Sequence, residues 1–232
     1  MKSELLWNLY AWCYDWLTGL APYRSMLIQV SKLVSLEKDP TFILDAGCGT
    51  GNMSVEIENQ TQGDRAVVIG IDSSPAMLAR AKSKPTRTSF RLANLDERLP
   101  FSDGYFNAIV CVNVIYAVPN PSRTIGELLR VLDDGGTLVV TSPKSKPSMG
   151  KILNAHIRAE GYLSLLPLLL PLIAVAVFNL VILRRGQRGT YHFFDEDQLQ
   201  TLFGQPVEIL STYADQNWLV RFTKPISPRM EA

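Results

Sequence analysis

The feature that most constrains this chain is the run from Leu163 to Leu183, which contains no charged residue. About twenty apolar residues are enough to cross a bilayer, so the position of this run decides which folds remain open to the rest. Five short apolar runs precede it, at 41–47 (TFILDAG), 66–72, 88–94, 105–113 and 135–143, and each reads as a strand. Behind it, 206–223 reads as a hairpin turning near Ala214–Asn217. If that hairpin completes the sheet begun by the five strands, one crossing is excluded, because it would leave the two parts on opposite sides of a membrane. Pro167 and Pro171 would each break a hydrogen bond at about 3 kcal/mol in a helix interior, which predicts a bend or two short helices. The flanks are basic on both sides, with Lys144, Lys146, Lys151 and Arg158 before and Arg184, Arg185 and Arg188 after. A crossing usually shows a one-sided excess. Three readings stay open: a hydrophobic lid on the protein's own sheet or at a dimer contact, a monotopic or re-entrant membrane contact, and a true span with a reorganised C-terminus.

Helical patterns alternate with the strands. Leu5, Leu9, Trp12, Trp16 and Leu20 recur at helical spacing over 5–20, and further helices are expected at roughly 23–36, 51–60, 75–82, 122–132 and 195–203. Ser74 is the expected cap of the 75–82 helix, with Pro75 in its first turn. Strand–helix alternation implies parallel βαβ units and an α/β, doubly wound sheet. A chain of 232 residues suits one core. We therefore expect a single domain over 1–232, with N-terminal helices at 1–40, a ligand-binding core at 41–145, an insertion at 146–190 and a C-terminal helix and hairpin at 191–232.

The 23 basic and 22 acidic residues leave a formal charge of +1, which offers nucleic acid no attracting field. Cys13, Cys48 and Cys111 are odd in number and far apart, which fits a reducing compartment and neither a disulfide framework nor a metal site. Glu4, Asn8 and Asp15 interrupt any secretory pattern at the N-terminus, so the expected location is cytoplasmic.

In an open α/β sheet, ligands bind beyond the carboxyl ends of the strands. The first strand ends in LDAGCGTGNMS (44–54), where Gly47, Gly49 and Gly51 permit a tight turn and a close approach to backbone amides. Their G-x-G-x-G spacing differs from the G-x-G-x-x-G of dinucleotide sites, which makes a dehydrogenase a distant alternative. Asp72 ends the second strand, where two carboxylate oxygens match the two donors of a ribose diol. The competing role for Asp72 is a helix cap, but Ser74 is better placed for that.

The segments LDAGCGTGNMS, GIDSSPAMLARA, RLPFSDGYFNAIVCVNVIYAVPNP and ELLRVLDDGGTLVVTSP resemble, in order and spacing, class I S-adenosylmethionine-dependent methyltransferases. They are most similar to the branch of ubiquinone/menaquinone methyltransferases and their small-molecule and lipid relatives. The resemblance covers 41–142 by specific motifs and 190–223 in outline. It implies a Rossmann-like seven-stranded sheet with helices on both faces, an antiparallel last strand and a hydrophobic lid insertion after the fifth strand. It also implies S-adenosylmethionine as cofactor. Asp45 and the Gly47–Gly51 loop would face its methionine part, Asp72 its ribose with Ser73 and Met77 nearby, and Asn94 and Leu95 its adenine. Asn94 stands where the family often has Asp, and Asp96 lies two residues on. Asn113 falls where methionine and acceptor meet.

Methyl transfer to nitrogen, oxygen or carbon can call for a base. The candidates are Tyr116 and His192, with His156 behind them, and each has a plainer reading as a core, lid or capping residue. Tyr10 and Tyr14 could close over the cofactor, and Trp7, Trp12 and Trp16 could anchor at a membrane interface; core packing explains both sets equally. In the family, the insertion after the fifth strand shapes the acceptor site. An apolar insertion argues for a lipophilic acceptor such as a prenylated quinone, a lipid or a hydrophobic secondary metabolite, with 163–183 as an optional contact to the inner face of a membrane. The alternative is a non-catalytic cofactor-binding or membrane scaffold protein.

Overall fold

The computed structural model describes residues 3–34, 39–61, 65–145 and 148–226. Lys146 of the basic flank, the start of the expected insertion at 146–147, and the 35–36 end of the expected second helix lie outside the described residues.

Seven strands form one sheet: β1 (Thr41–Ala46), β2 (Ala66–Asp72), β3 (Ser89–Leu92), β4 (Phe106–Val112), β5 (Leu132–Pro143), β6 (Glu208–Thr212) and β7 (Asn217–Thr223). Their order is β3-β2-β1-β4-β5-β7-β6. The first five run parallel, and β7 is antiparallel to both of its neighbours. Chain order reverses between β1 and β4, which creates a crevice at their carboxyl ends.

The strands are buried on both faces, so their sequences are nearly continuous apolar runs. Alternation sends Ile43, Val110 and Val139 to one face, against Tyr10 of α1 (Ser3–Tyr14), Met26 and Val30 of α2 (Ala21–Lys32) and Ile57 of α3 (Asn52–Gln60). Leu44, Cys111 and Val140 point to the other, against Ile125 and Leu128 of α5 (Pro121–Val131) and Leu199 and Phe203 of α8 (Glu196–Phe203). Ser74 caps α4 (Pro75–Lys82) as expected, its Oγ accepting from the Met77 N–H at 3.2 Å. The helix expected over 5–20 breaks instead after Tyr14, and a 3-10 turn (Asp15–Gly19) carries the chain into α2.

The apolar run divides where its prolines predict. Pro167 lies in a 3-10 turn (Tyr162–Leu168), and Pro171 lies in the first turn of α7 (Leu169–Gln187). α7 buries Leu172, Val175 and Ile182 and exposes Leu170, Ile173 and Val177. It packs on α1, with Phe178 stacked on Tyr10 at 4.9 Å and the Tyr10 hydroxyl donating to Asn179 Oδ1 at 3.1 Å. The apolar run therefore rests on the first helix, whereas the lid among the three readings was expected on the sheet or at a dimer contact. Because β7 pairs with β5 from Thr137↔Thr223 to Pro143↔Asn217, both ends of α7 return to one sheet, and a simple crossing is excluded. His156, on α6 (Met149–Glu160), is fully buried. Its Nδ1 accepts from the Ala21 N–H at 3.1 Å and its Nε2 lies 2.9 Å from Ser164 Oγ. Burial pushes its pKa down, and both ring nitrogens are engaged in tying α2 to the 3-10 turn.

Candidate active site with two cavities

The loop after β1 is folded by its glycines. Gly47 and Cys48 both donate to Ile71 O, and Gly51 donates to Cys48 O. Gly47 has φ +73°, and a Cβ there would meet Val114 at 2.4 Å. A side chain is thus barred twice, by conformation and by space. The turn aims the Gly49 N–H at Asp72 Oδ2, 2.9 Å away, while Asp72 Oδ1 accepts from the Ser74 N–H at 2.8 Å. Burial raises the Asp72 pKa, and the N–H groups of Ser74, Gly49 and Ser73 oppose that rise. The carboxylate is therefore oriented by backbone before any ligand arrives.

A cavity of about 700 Å³ opens at this point. Eight of the ten expected cofactor residues line it: Gly47, Gly49, Asp72, Ser73, Met77, Asn94, Leu95 and Asn113. Two do not. Gly51 (φ +80°) starts α3 and would strike Phe90 at 2.9 Å if it carried a Cβ, so its smallness serves packing. Asp45 lies beneath the loop, 1% exposed, with Oδ2 accepting from Ser54 Oγ at 2.6 Å. Burial, reinforced by the Asp72 charge and opposed by the Ser54 hydrogen bond, holds its pKa at about 7. At the far end Asn94 Oδ1 accepts from the Asp96 N–H at 3.1 Å. Asp96 also lines the cavity, and its buried Oδ1 has no partner. That orphaned acceptor, the bare glycine backbone and the oriented carboxylate fit a nucleoside-bearing ligand.

A second cavity, of about 440 Å³, lies behind a shared wall formed by Trp7, Tyr14 and Asn113. It is bounded by α7 through Asn179 and Leu180, by α6 through Ile152, and by the hairpin through Tyr213, Gln216 and Asn217. Among the described residues, its lining includes five tyrosines and four side-chain amides but no Asp, Glu, His, Lys or Arg. Asn113 is held in the left-handed region (φ 58°). Its N–H donates to Thr141, and its Oδ1 accepts from Thr141 Oγ1 at 3.1 Å and from Asn217 Nδ2 at 2.6 Å. A residue in the left-handed region, clamped by Thr141 and Asn217 between two cavities, is a positioned one.

Tyr116 lines the second cavity, buried, with its ring stacked on Phe193 and edge-on to Trp7. Burial pushes its pKa well above the ordinary phenol range. His192 lines neither cavity; its backbone N–H donates to Tyr116 O at 2.7 Å and its ring stacks on Phe194. Of the tryptophans proposed as anchors, Trp12 is 63% exposed, while Trp7 belongs to the cavity wall.

Sequence reasoning missed the ties that hold α1 over both cavities. Ser74 Oγ donates to Asn8 Oδ1 at 2.6 Å, and Asp15 Oδ1 accepts from Thr50 Oγ1 at 2.5 Å and from Lys84 Nζ at 2.8 Å. It missed Thr141 and Asn217 as well. These pairs are far apart along the chain and carry no local motif.

The chain matches the model of the methyltransferase domain family over residues 37–169. It is similar to the demethylmenaquinone methyltransferase of Thermus thermophilus, 33% identical over 62% of this chain and 67% of that protein. A phosphatidylethanolamine N-methyltransferase of Cereibacter sphaeroides is 32% identical over 52% of this chain and 61% of its own length. A ubiquinone/menaquinone biosynthesis C-methyltransferase of Geobacter is 38% identical over 42% of this chain and 43% of its own. The chain thus spans between 43% and 67% of these three curated relatives. Among solved structures, a SAM-dependent methyltransferase from Thermotoga maritima superposes with TM-score 0.61 at 16% identity, over 96% of this chain and all of that one. A Haemonchus contortus phosphoethanolamine N-methyltransferase in complex with S-adenosylmethionine gives TM-score 0.64 at 15% identity, over 94% of this chain and 57% of that one. At such identities the agreement is one of fold.

Proposed function

Because the chain belongs to the class I S-adenosylmethionine-dependent methyltransferases, we propose that it transfers the cofactor's methyl group to a lipophilic small molecule held in the second cavity. The observation that carries the acceptor class is that cavity's lining, aromatic and amide groups without a single ionised side chain. Such a wall desolvates a ring or chain and leaves hydroxyl or carbonyl groups to the amides. A phosphate or ammonium headgroup would be left there without a counter-charge.

In this reading the first cavity holds S-adenosylmethionine. Asp72 receives the ribose hydroxyls, the Gly47–Gly49 backbone lies along the methionine part with Ser73 and Met77 beside it, and Asn94 and Leu95 meet the adenine. The unpaired Asp96 Oδ1 offers the exocyclic amine a second acceptor. When bound, the cofactor supplies an electrophilic methyl on its sulfonium. This chain's residues then orient the acceptor across the Trp7–Tyr14–Asn113 wall and exclude water. With no Asp, Glu, His, Lys or Arg among the described residues that line the second cavity, the acceptor is itself the nucleophile, as a neutral electron-rich ring is, and the proton it then sheds passes to solvent.

The exposed face of 163–183 seats the cytoplasmic enzyme on the inner face of a membrane. It presents Leu170 at 80% and Ile173 at 61% exposure, beside the exposed arginines Arg158, Arg184 and Arg188. Each basic residue adds about 1 kcal/mol of attraction to anionic headgroups. The test is methyl transfer from radiolabelled cofactor to a cell lipid extract, followed by partition. We expect label in the organic phase; label confined to water-soluble products would refute the acceptor class. Leu170→Glu with Ile173→Glu should abolish sedimentation with phosphatidylglycerol-containing vesicles.

A further inference from the structure

The two cavities open onto different surfaces. Around the first, the exposed lining residues are Ser73, Leu92, Glu97, Pro119 and Thr190, a mixed and largely polar rim. Around the second, only Ala176 and Leu180 are exposed, and every other lining residue is buried or half-buried. These two are one helical turn apart on α7 and lie among Ile173 and Val177, so they belong to its exposed apolar stripe. The mouth of the second cavity therefore lies within an exposed apolar surface.

From this we infer that the acceptor enters laterally, out of the hydrocarbon of a phospholipid bilayer and between α7 and α1, while the cofactor exchanges with water at the opposite rim. The inference rests on the membrane seat proposed above and adds the direction of loading. Three features of the surface select a bilayer as its occupant. Exposed leucine, isoleucine and valine side chains run along α7 from Leu169 to Leu180. Arg158, in the last turn of α6, and Arg184, in the last turn of α7, are exposed and flank the apolar run in the chain, where anionic headgroups would meet them. Trp12 and Tyr162, 63% and 71% exposed, carry the amphipathic rings favoured at the headgroup level. Lateral entry also spares a lipophilic acceptor a passage through water, which every exposed methylene makes less favourable.

Trp7 reports on entry because it stands in the wall of the second cavity. The experiment uses the full chain with Trp12, Trp16 and Trp218 replaced by phenylalanine, so that Trp7 is the only tryptophan. Vesicles of phosphatidylcholine and phosphatidylglycerol carrying dibromostearic acid serve as the probe, since bromine quenches indole emission only near contact. Trp7 should lose most of its emission on these vesicles. Adding Ala176→Phe, which fills the mouth with an apolar ring, should restore it while sedimentation with the vesicles and binding of S-adenosylhomocysteine stay unchanged. If the protein sediments but Trp7 is not quenched, or Ala176→Phe is quenched as strongly, lateral loading is wrong and the membrane seat stands. If the protein does not sediment with vesicles at all, the membrane seat fails and this inference fails with it.

Discussion

The two cavities share a wall and differ in almost everything else. The first is built at the carboxyl ends of β1, β2 and β4 from short stretches of chain, and its decisive groups are backbone amides and one oriented carboxylate. The second is assembled from α1, α6, α7 and the β6–β7 hairpin, and its decisive property is what it lacks: ionised groups. A polar, invariant ligand demands directed hydrogen bonds, and directed hydrogen bonds demand a particular turn. A greasy ligand demands a shape and the exclusion of water, which many side-chain combinations supply. On the proposed reading, the same protein writes one ligand as a motif and the other as a surface.

The most severe way to break this contrast is to remove the carboxylate. Asp72→Ala should weaken S-adenosylhomocysteine binding by roughly 2–4 kcal/mol, about 30- to 1,000-fold, since hydrogen bonds to a charged acceptor contribute about 1.5–3 kcal/mol each. Calorimetry measures it, and vesicle sedimentation should not change. Unaltered cofactor affinity would remove Asp72 from the ribose site.

A second carboxylate, Asp45, sits beneath the first cavity. Its folded pKa of about 7 lies above the ordinary carboxylate value, because burial dominates. Between about pH 4 and pH 7 the folded form keeps a proton that the unfolded chain has lost, so stability falls as pH rises through that window. Asp45→Asn keeps an acceptor for Ser54 and removes the buried charge. It should stabilise the ligand-free protein at pH 8 by on the order of 4 kcal/mol, and by almost nothing near pH 4, in urea denaturation at the two pH values. A gain of equal size at both would show that Asp45 carries no displaced proton.

The contrast also explains what could be read from residues alone. The strand–helix alternation and the sheet it implies followed from periodicity, because strands buried on both faces leave unbroken apolar runs, while the antiparallel last strand was implied by the family resemblance. Eight of the ten cofactor positions fell on the first cavity because a tight glycine turn has few sequence solutions. Asp45 and Gly51 do not line that cavity, because a motif fixes spacing but not which side of the loop a residue faces. The second cavity was legible only as greasiness. Asn113 meets Asn217 across 104 positions of chain, and no local pattern marks such a partner. His192 looked chemical by residue type, and only packing turned its ring toward Phe194.

That long-range contact gives the third and milder test. Asn217→Ala removes the donor to Asn113 Oδ1, at about 1 kcal/mol for one hydrogen bond. If Asn113 serves the boundary between the cavities, kcat should fall about fivefold while the dissociation constant for S-adenosylhomocysteine stays within about twofold. Equal losses in both would place Asn113 with the cofactor alone.

The smallest effect is predicted where sequence reasoning looked for chemistry. Tyr116 follows β4 at a position suited to a catalytic base, and it does line the second cavity. Yet burial drives its pKa upward, away from the neutral range in which a base must accept a proton. Its ring, stacked on Phe193 and edge-on to Trp7 and Tyr191, is what the cavity wall uses. Tyr116→Phe preserves those ring contacts and removes the hydroxyl. The turnover number should change by no more than about threefold, under 1 kcal/mol, and the pH dependence of kcat should keep its shape. Loss of an ionisation from that profile, together with a fall of a hundredfold or more, would make Tyr116 the base. The second cavity would then be a site of proton transfer, and its likeness to a passive greasy shell would end there.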